Sequence, residues 1–482
     1  MSAIKQNIIY NSILTTSNLI FPFITFPYVN RILNPEGIGV VNFANSFIQI
    51  FVILCSLGIP FYGIREIAKV RDDVSLRSKL VWELTFLKLC CFALILIVYI
   101  ALIFTVPKFN NMLPFFLWGI TSILLSVLDF NYFFTAIENF KFITIRTVAF
   151  QIVSVFLTFV LIKTPQDTLK YFLLPIIILL LNTLVNLNYL RKFVSWNGYK
   201  LIGHLKRHYK PLLLLFSILL FSSVYNLMDT TILGFMAGDD SVGFYSTVYK
   251  INRVPISIIM VVAPVLIPKI SVEFSQGNFS EIERLLSKTL RLNIFVGVAL
   301  MFGVVAIAPE IVEILAGKAF EPSVVTLTIM SPLALIIGIT TCFSTQFLVP
   351  AGKDNLLMKA VLFGTVISII LNVVLINFFR HNGSAAANII TEIIVLLLCY
   401  YYASKSVSVK LPLGFLLKNI LVCLPFVLIA YAVRTYSPLG TVPDFLLIIV
   451  LCTLYFFLAQ KYILKSEIYN EIENFALSKL KR

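Results

Sequence analysis

The chain has 482 residues, of which 59% are apolar and only 13% are charged, and its mean hydropathy is +0.95. Ordinary soluble domains carry roughly a quarter charged residues, so this composition excludes a large soluble protein. The net charge of +15 would favour nucleic acid in a soluble chain. In a membrane protein, basic residues instead set the orientation, and no nucleic-acid partner is expected.

Apolar stretches separated by polar breaks predict about fourteen transmembrane helices, since one bilayer crossing takes roughly 20 apolar residues. The predicted spans are residues 8–29, 41–60, 83–106, 114–135, 143–162, 171–190, 211–236, 243–267, 291–316, 327–350, 357–379, 385–404, 414–434 and 444–460. The fold class is therefore an all-α, multi-pass membrane protein, and the lipid bilayer is its first partner.

Basic residues predict the orientation of these spans. With a cytoplasmic N-terminus, most of the 38 Lys and Arg residues fall in cytoplasmic connections, which favours an even number of spans and two cytoplasmic termini. The longest connections, 61–82, 191–210 and 268–290, are too short for a catalytic domain. These connections are cytoplasmic, and the outer loops are shorter still. A membrane polymerase or glycosyltransferase would need a long outer loop, so the loop lengths argue against both.

A weak internal repeat is visible at an offset of 204 residues. Residues 34–40 align with residues 238–244, so that Gly39 corresponds to Gly243, and Pro60 falls on Pro264. The matches are few, and chance is an alternative. An offset of six helices keeps both copies in one orientation, as in transporters built from parallel repeats. The predicted lobes are 1–205 and 206–410, with two additional helices and a tail in 411–482.

Two cations lie inside the eighth predicted span, where a charge costs about 2.5–3.5 kcal/mol and is a functional candidate by default. Lys250 and Arg253 are one helical turn apart on one face. If the span starts near Val254 instead, both side chains reach the outer interface. In a water-filled cavity they would suit a phosphate or pyrophosphate, because Arg binds such anions bidentately and Lys acts as a point charge.

The second predicted span has a polar face, formed by Asn42, Asn45, Ser46 and Gln49 at spacings of three and four residues. The repeat offset places the basic pair on Ser46 and Gln49. The polar face could line a cavity for a polar ligand, or it could form hydrogen bonds between helices, and the sequence favours neither.

Glu310 and Glu313 lie near the outer end of the ninth predicted span, where an interfacial position is favoured, and three carboxylates lie farther inside spans: Asp129, Asp229 and Glu392. Each could pair with a cation or bind a coupling ion, either a proton or sodium. The seven cysteines have no CxxC spacing and the three histidines lie outside the spans, so no metal site and no cofactor are expected. The sequence lacks a Walker-type glycine-rich loop, which argues against ATP as the energy source.

Residues 17–44, SNLIFPFITFPYVNRILNPEGIGVVNFA, resemble the opening of bacterial polysaccharide and O-antigen flippases of the Wzx type. Residues 226–250, NLMDTTILGFMAGDDSVGFYSTVYK, are similar to the seventh and eighth spans of that family. The resemblance implies membership of the multidrug/oligosaccharidyl-lipid/polysaccharide exporter superfamily and a two-lobed bundle that works by alternating access. It implies a transporter rather than an enzyme.

The substrate that the resemblance implies is an undecaprenyl-pyrophosphate-linked oligosaccharide repeat unit, which crosses the bacterial cytoplasmic membrane. Lys250 and Arg253, with Arg31 as a further candidate, would bind the pyrophosphate, and the polar face of Asn42, Asn45 and Gln49 would face sugars. A polymerase and other polysaccharide-assembly proteins are expected partners. A multidrug exporter of the same superfamily is the alternative, but its cationic substrates would require an acidic cavity.

Overall fold

The computed structural model describes residues 3–195, 205–261, 263–436 and 439–480. Every regular element in these residues is a helix, which confirms the all-α prediction. Ten stretches of the described residues are long and apolar enough to cross a membrane, so the chain is a multi-pass membrane protein. The count of fourteen and the cytoplasmic placement of both termini stay predictions.

The chain divides into two compact units, residues 1–243 and 244–482. The first unit contains α1 (Ala3–Ser56), α2 (Ile59–Lys69), α3 (Val74–Thr105), α4 (Leu113–Val127), α5 (Asn131–Ala136), α6 (Phe140–Leu161), α7 (Thr168–Leu190), α8 (Lys206–Ala237) and the start of α9 (Asp239–Met260). The second contains the rest of α9, α10 (Ala263–Ser275), α11 (Phe279–Leu315), α12 (Ser323–Met330), α13 (Leu333–Phe343), α14 (Asp354–Ser404), α15 (Leu413–Cys423), α16 (Pro425–Tyr436), α17 (Thr441–Tyr462) and α18 (Glu467–Leu480). The predicted lobe boundaries at 205 and 410 stay predictions.

Two of the ten apolar stretches are long enough to cross the membrane twice, and each contains a sharp break. The stretch Gln6–Lys69 breaks at Asn34, with φ 57° and ψ 174°. The following Pro35 disfavours helical backbone at Asn34, and Asn tolerates a positive φ better than most residues. The stretch Asp354–Ser404 breaks at Arg380, with φ 51° and ψ −127°. Each break falls between two of the predicted spans.

The two copies of the predicted repeat pack on each other through glycines within residues 1–243. A methyl group on Gly39 would collide with the carbonyl oxygen of Asp239, and one on Gly243 with the carbonyl oxygen of Pro35. Pro35 and Asp239 are equivalent positions of the repeat, as are Gly39 and Gly243. The glycine of each copy thus contacts the same position of the other copy, which favours a true repeat over a chance match.

The last apolar helices are fixed to α11 in the second unit. Arg434 of α16 binds both oxygens of the Glu310 carboxylate, with Nε 2.6 Å from Oε1 and Nη2 2.8 Å from Oε2. Glu310 is only 6% exposed, so this bidentate pair neutralises a buried carboxylate. Thr441, the first residue of α17, donates to Glu313 at 3.1 Å. Polar contacts thus reinforce the apolar packing of these helices.

Candidate functional site

The two cations of the eighth predicted span lie on α9, Lys250 about 17 Å and Arg253 about 21 Å along the helix from its first residue. Lys250 is half-buried and Arg253 is exposed. The guanidinium carbon of Arg253 lies 5.7 Å from the centre of the Tyr249 ring, one helical turn away. The continuous helix places both cations on one face, as the spacing predicts. Their role in binding stays a prediction.

Helix α9 is not among the ten apolar stretches found in the described residues. Its polar and charged side chains make it too polar to face lipid at low cost, because an unsatisfied polar group in hydrocarbon costs several kcal/mol. A helix of this kind packs inside protein or lines water. This favours the interpretation of Lys250 and Arg253 as cavity residues.

The polar face of the second predicted span lies in the second half of α1. Asn42 and Asn45 are half-buried and Gln49 is exposed, whereas Ser46 is buried and accepts a hydrogen bond from Thr231 of α8 at 3.0 Å. Ser46 therefore contacts α8, whereas the other three residues of the face are at least partly exposed. The amide of Asn42 donates to its own helix, to the carbonyl of Ile38 at 2.8 Å.

Arg31, the weaker candidate for the anion site, lies on α1 just before the break at Asn34, and it is exposed. It belongs to the first unit, whereas Lys250 and Arg253 belong to the second. Within its own unit, Arg31 is separated from the polar face of Asn42 by the break in α1.

The three candidate carboxylates lie on different elements. Asp129 occupies the break between α4 and α5, where its side chain accepts from the backbone N–H of Asn131, the first residue of α5, at 2.9 Å. Asp229 is 1% exposed within α8. Glu392 is half-buried in the second half of α14. The carboxylate of Asp129 therefore has a structural task in the fold, whatever further role it has.

A buried cation near the start of the third predicted span lies in the first unit. Lys88 of α3 is 2% exposed, and its Nζ donates to the carbonyl of Asp129 at 3.0 Å and that of Val127 at 3.3 Å. Its Nζ also lies 4.9 Å from the centre of the Tyr132 ring. Lys88 thus satisfies carbonyls that the end of α4 leaves open.

Arg146 of α6 is a second buried cation that sequence reasoning did not single out. It is 7% exposed, donates to the side-chain oxygen of Asn131 at 2.8 Å, and also donates to that of Asn186. These amides accept from both terminal nitrogens of the guanidinium, whereas Nε is buried without a hydrogen-bond partner among the described residues. Spacing along the chain gives no signal for such partners, because they come from two helices other than that of Arg146, α5 and α7.

An apolar groove of about 430 Å³ opens on the second unit. It runs between α11, α16 and α17, and its lining includes Ala299, Gly303, Phe426, Ile448, Cys452 and Phe456. A methyl group added at Gly303 would meet no atom within 4 Å. The groove is thus open at this glycine and has the chemistry of a site for a hydrocarbon chain.

Solved structures of other membrane proteins share the fold of this chain. A lipid II flippase MurJ in an inward closed conformation matches with a TM-score of 0.72 and 15% identity, covering 95% of this chain and 100% of that one. An inward-facing multidrug resistance MATE family transporter of the MOP superfamily matches with a TM-score of 0.59 and 13% identity, covering 83% and 98%. At these identities the likeness shows the fold, which is that of membrane transporters.

The chain belongs to the family of polysaccharide biosynthesis proteins, whose sequence pattern matches residues 4–273. The MatE family pattern also matches residues 214–374. The prediction of a polysaccharide flippase-type member of the exporter superfamily is thereby confirmed.

Relatives that match this chain in sequence are named as transporters or as a flippase. A putative O-antigen transporter of Escherichia coli (strain K12) is 23% identical over 389 residues, which is 80% of this chain and 92% of the relative. A putative O-antigen transporter of Shigella dysenteriae is 24% identical over 382 residues, 78% and 93% of the two chains. A probable low-salt glycan biosynthesis flippase, Agl15 of Haloferax volcanii, is 24% identical over 186 residues, 39% of each. These relatives are transporters rather than enzymes, as expected for this chain.

Proposed function

We propose that the protein is a flippase that moves an undecaprenyl-pyrophosphate-linked oligosaccharide repeat unit across the bacterial cytoplasmic membrane. The movement follows alternating access and is driven by an ion gradient. The observation that carries the proposal is the basic pair Lys250 and Arg253 on a helix too polar for lipid, in a chain whose relatives are named as O-antigen transporters and a glycan flippase.

The pyrophosphate is the part of this substrate that the basic pair would bind. Arg253 presents a planar fork that matches phosphate oxygens, and Lys250 adds a positive charge one turn away. The ring of Tyr249 restricts the guanidinium, which lowers the entropy lost on binding. Arg31 would meet the same group if the substrate passes the first unit.

The sugars would contact the accessible amides of α1. Asn42, Asn45 and Gln49 each offer donors and acceptors suited to hydroxyl groups. Residues of this type are adaptable, so one face can serve repeat units that differ in composition. A polymerase and other polysaccharide-assembly proteins would take up the product on the outer side.

The apolar groove would hold part of the polyprenyl chain. We expect Gly303→Phe to fill the groove while leaving the fold intact, because the added Cβ meets open space. Export should fall about tenfold, which corresponds to about 1.4 kcal/mol of lost binding. The measurement is surface polysaccharide in cells that depend on this protein for export.

The matched control for the groove is Gly414→Phe, since Gly414 of α15 also has open space around its Cβ and lies outside the groove lining. We expect this variant to export normally. Equal export by the two variants would remove the groove from the substrate path.

The coupling ion is proposed to be a proton or sodium, with Asp229, Asp129 and Glu392 as carboxylates that bind it or pair with cations. Asp229 is the most strongly buried of the three, so its charge is the most sensitive to a change in exposure. Asp129 already accepts a hydrogen bond from the backbone of Asn131, which leaves it less freedom to act.

The experiment that tests the proposal is complementation of a bacterial strain that lacks its O-antigen flippase but retains the rest of the pathway. We expect the wild-type chain to restore lipid-linked repeat units to the outer leaflet and polymer to the surface. The MatE match makes drug export the second candidate. Drug resistance without restored polysaccharide would establish that function and contradict the flippase.

A further inference from the structure

A polar pocket of about 620 Å³ opens in the first unit, where α1 breaks. Its volume lies within the range of about 300–1,000 Å³ that is typical of sites for small molecules. Four separate segments form its wall: residues 33–40 of α1, residues 111–115, residues 165–169, and Asp239 at the start of α9. The pocket therefore lies entirely within residues 1–243.

The four segments of the wall lie in or next to connections that alternate with the predicted spans. With a cytoplasmic N-terminus, the connections 30–40, 107–113, 163–170 and 237–242 are all outer connections. The structure brings these four connections together at one pocket, as expected for segments on the same side of a membrane. In the predicted orientation, the pocket opens on the side to which a flippase delivers its substrate.

The lining combines available polar groups with an apolar surface. Four exposed side chains of the lining make no hydrogen bond or ion pair with another described residue: Asn34, Glu36, Asn111 and Gln166. Water is their partner, and the hydroxyl groups of a sugar can replace it, because amides both donate and accept and a carboxylate accepts. The ring of Phe115 adds an apolar surface for the C–H groups of a sugar.

Close contacts between the segments fix the wall before a ligand binds. A methyl group on Gly39 would collide with the carbonyl oxygen of Asp239, and one on Gly37 would lie 3.0 Å from Oγ1 of Thr168. The Nζ of Lys108 lies 3.6 Å from the carboxylate of Asp239. The pocket is thus preformed, which lowers the entropy lost on binding.

The charge of the pocket favours an uncharged ligand over a phosphate. Among the described residues that line it are the carboxylates of Glu36 and Asp239 and no Lys or Arg side chain. Lys108, which lies beside the pocket, already pairs with Asp239. A pyrophosphate would be repelled here, because like charges oppose binding. The part of the chain that the structure describes also has no group of three side chains suited to hold a metal ion.

We propose that this pocket is an outer saccharide-binding site, which receives sugars of the lipid-linked repeat unit after they cross the membrane. The proposal rests on the proposed transport function. It adds to that function a second sugar site, separate from the polar face of Asn42, Asn45 and Gln49. The site binds through hydroxyl groups and an apolar sugar face, so it recognises the glycan without the pyrophosphate or the polyprenyl chain.

Binding of a free oligosaccharide to the full-length protein tests the proposal without transport. The probe is the repeat-unit oligosaccharide of the organism that makes the protein, released from its lipid by mild acid. The protein is held in lipid nanodiscs, because a maltoside detergent would present a competing sugar. We expect saturation-transfer NMR to detect binding to the wild type. Asn111→Ala should weaken binding about two- to tenfold, the effect of one lost hydrogen bond.

Asn110→Ala is the matched control, since Asn110 is the preceding amide in the same segment, is also exposed and lies outside the lining. It should bind the oligosaccharide as the wild type does. Gln166→Trp should fill the pocket and abolish binding, which decides the matter if the effect of Asn111→Ala is too small to resolve.

Absence of binding to the wild type, or equal binding by the wild type and Gln166→Trp, would overturn the saccharide site. This result is distinguishable from failure of the transport function. A wild type that binds the oligosaccharide but exports nothing would refute transport and leave the site standing, whereas export without binding would refute the site alone.

Discussion

Arg253→Ala and Lys250→Ala are each expected to abolish export while the protein stays folded and inserted. Each variant removes one hydrogen bond to a charged phosphate, which costs about 1.5–3 kcal/mol and corresponds to a roughly 10-fold to 150-fold loss of binding. Arg253 is exposed and Lys250 half-buried, so truncation leaves no large cavity. The measurement is surface polysaccharide in the complemented strain, with membrane content of each variant determined in parallel.

Two further variants separate charge from shape. Arg253→Lys keeps the charge but loses the bidentate fork, so we expect intermediate export. Lys405→Ala is the matched control, because Lys405 also lies over a tyrosine ring, 4.3 Å from the centre of Tyr401, but follows the end of α14. Its export should equal that of the wild type. Full export by both alanine variants of the basic pair would contradict the assignment of the anion site.

Gly39→Ala is expected to give the second large effect, on stability. The added methyl group collides with the backbone at Asp239, and neither backbone segment can move as a flexible side chain would. Overpacking of this kind costs about 1–3 kcal/mol or more. Thermal unfolding in detergent should show a clear drop in the melting temperature, and Gly243→Ala should give a similar drop because its contact with Pro35 is equivalent.

Gly303→Ala is the control for this pair, since its Cβ meets no atom within 4 Å. It should melt at or above the wild-type temperature, because alanine favours helix over glycine by about 1 kcal/mol. If Gly39→Ala melted with the control, the close approach of the repeat copies would not contribute to the fold.

Much of the fold could be predicted because the bilayer imposes it on the sequence. Apolar stretches of about 20 residues marked the helices, and the polar break between the first two predicted spans contains Asn34, where α1 breaks. The alignment of the repeat identifies Gly39 and Gly243 as equivalent positions without reference to the contacts that each glycine makes. These signals are residue types and spacings in the sequence itself, so they can be recognised without knowledge of tertiary contacts.

The buried contact between Glu83 of α3 and His208 of α8 could not be predicted in the same way. Glu83 lies near the start of a span and His208 in a basic connection, so each resembled a solvated residue when read alone. Their partnership depends on packing between helices more than a hundred residues apart. The contacts of Lys88 could not be predicted for the same reason, since its partners are backbone carbonyls, which every residue type carries. The groove at Gly303 could not be predicted, because its lining residues are as apolar as the other residues of the predicted spans.

Translocation in vesicles tests the central claim most directly. The purified chain is reconstituted with an undecaprenyl-pyrophosphate-linked oligosaccharide that carries a fluorescent label on its sugar, and an impermeant quencher reports the outer leaflet. We predict that the wild type exposes the inner-leaflet pool to the quencher when an ion gradient is imposed, and that Arg253→Ala leaves that pool protected. Protection of the inner pool with the wild type, or equal quenching with Arg253→Ala, would contradict the account.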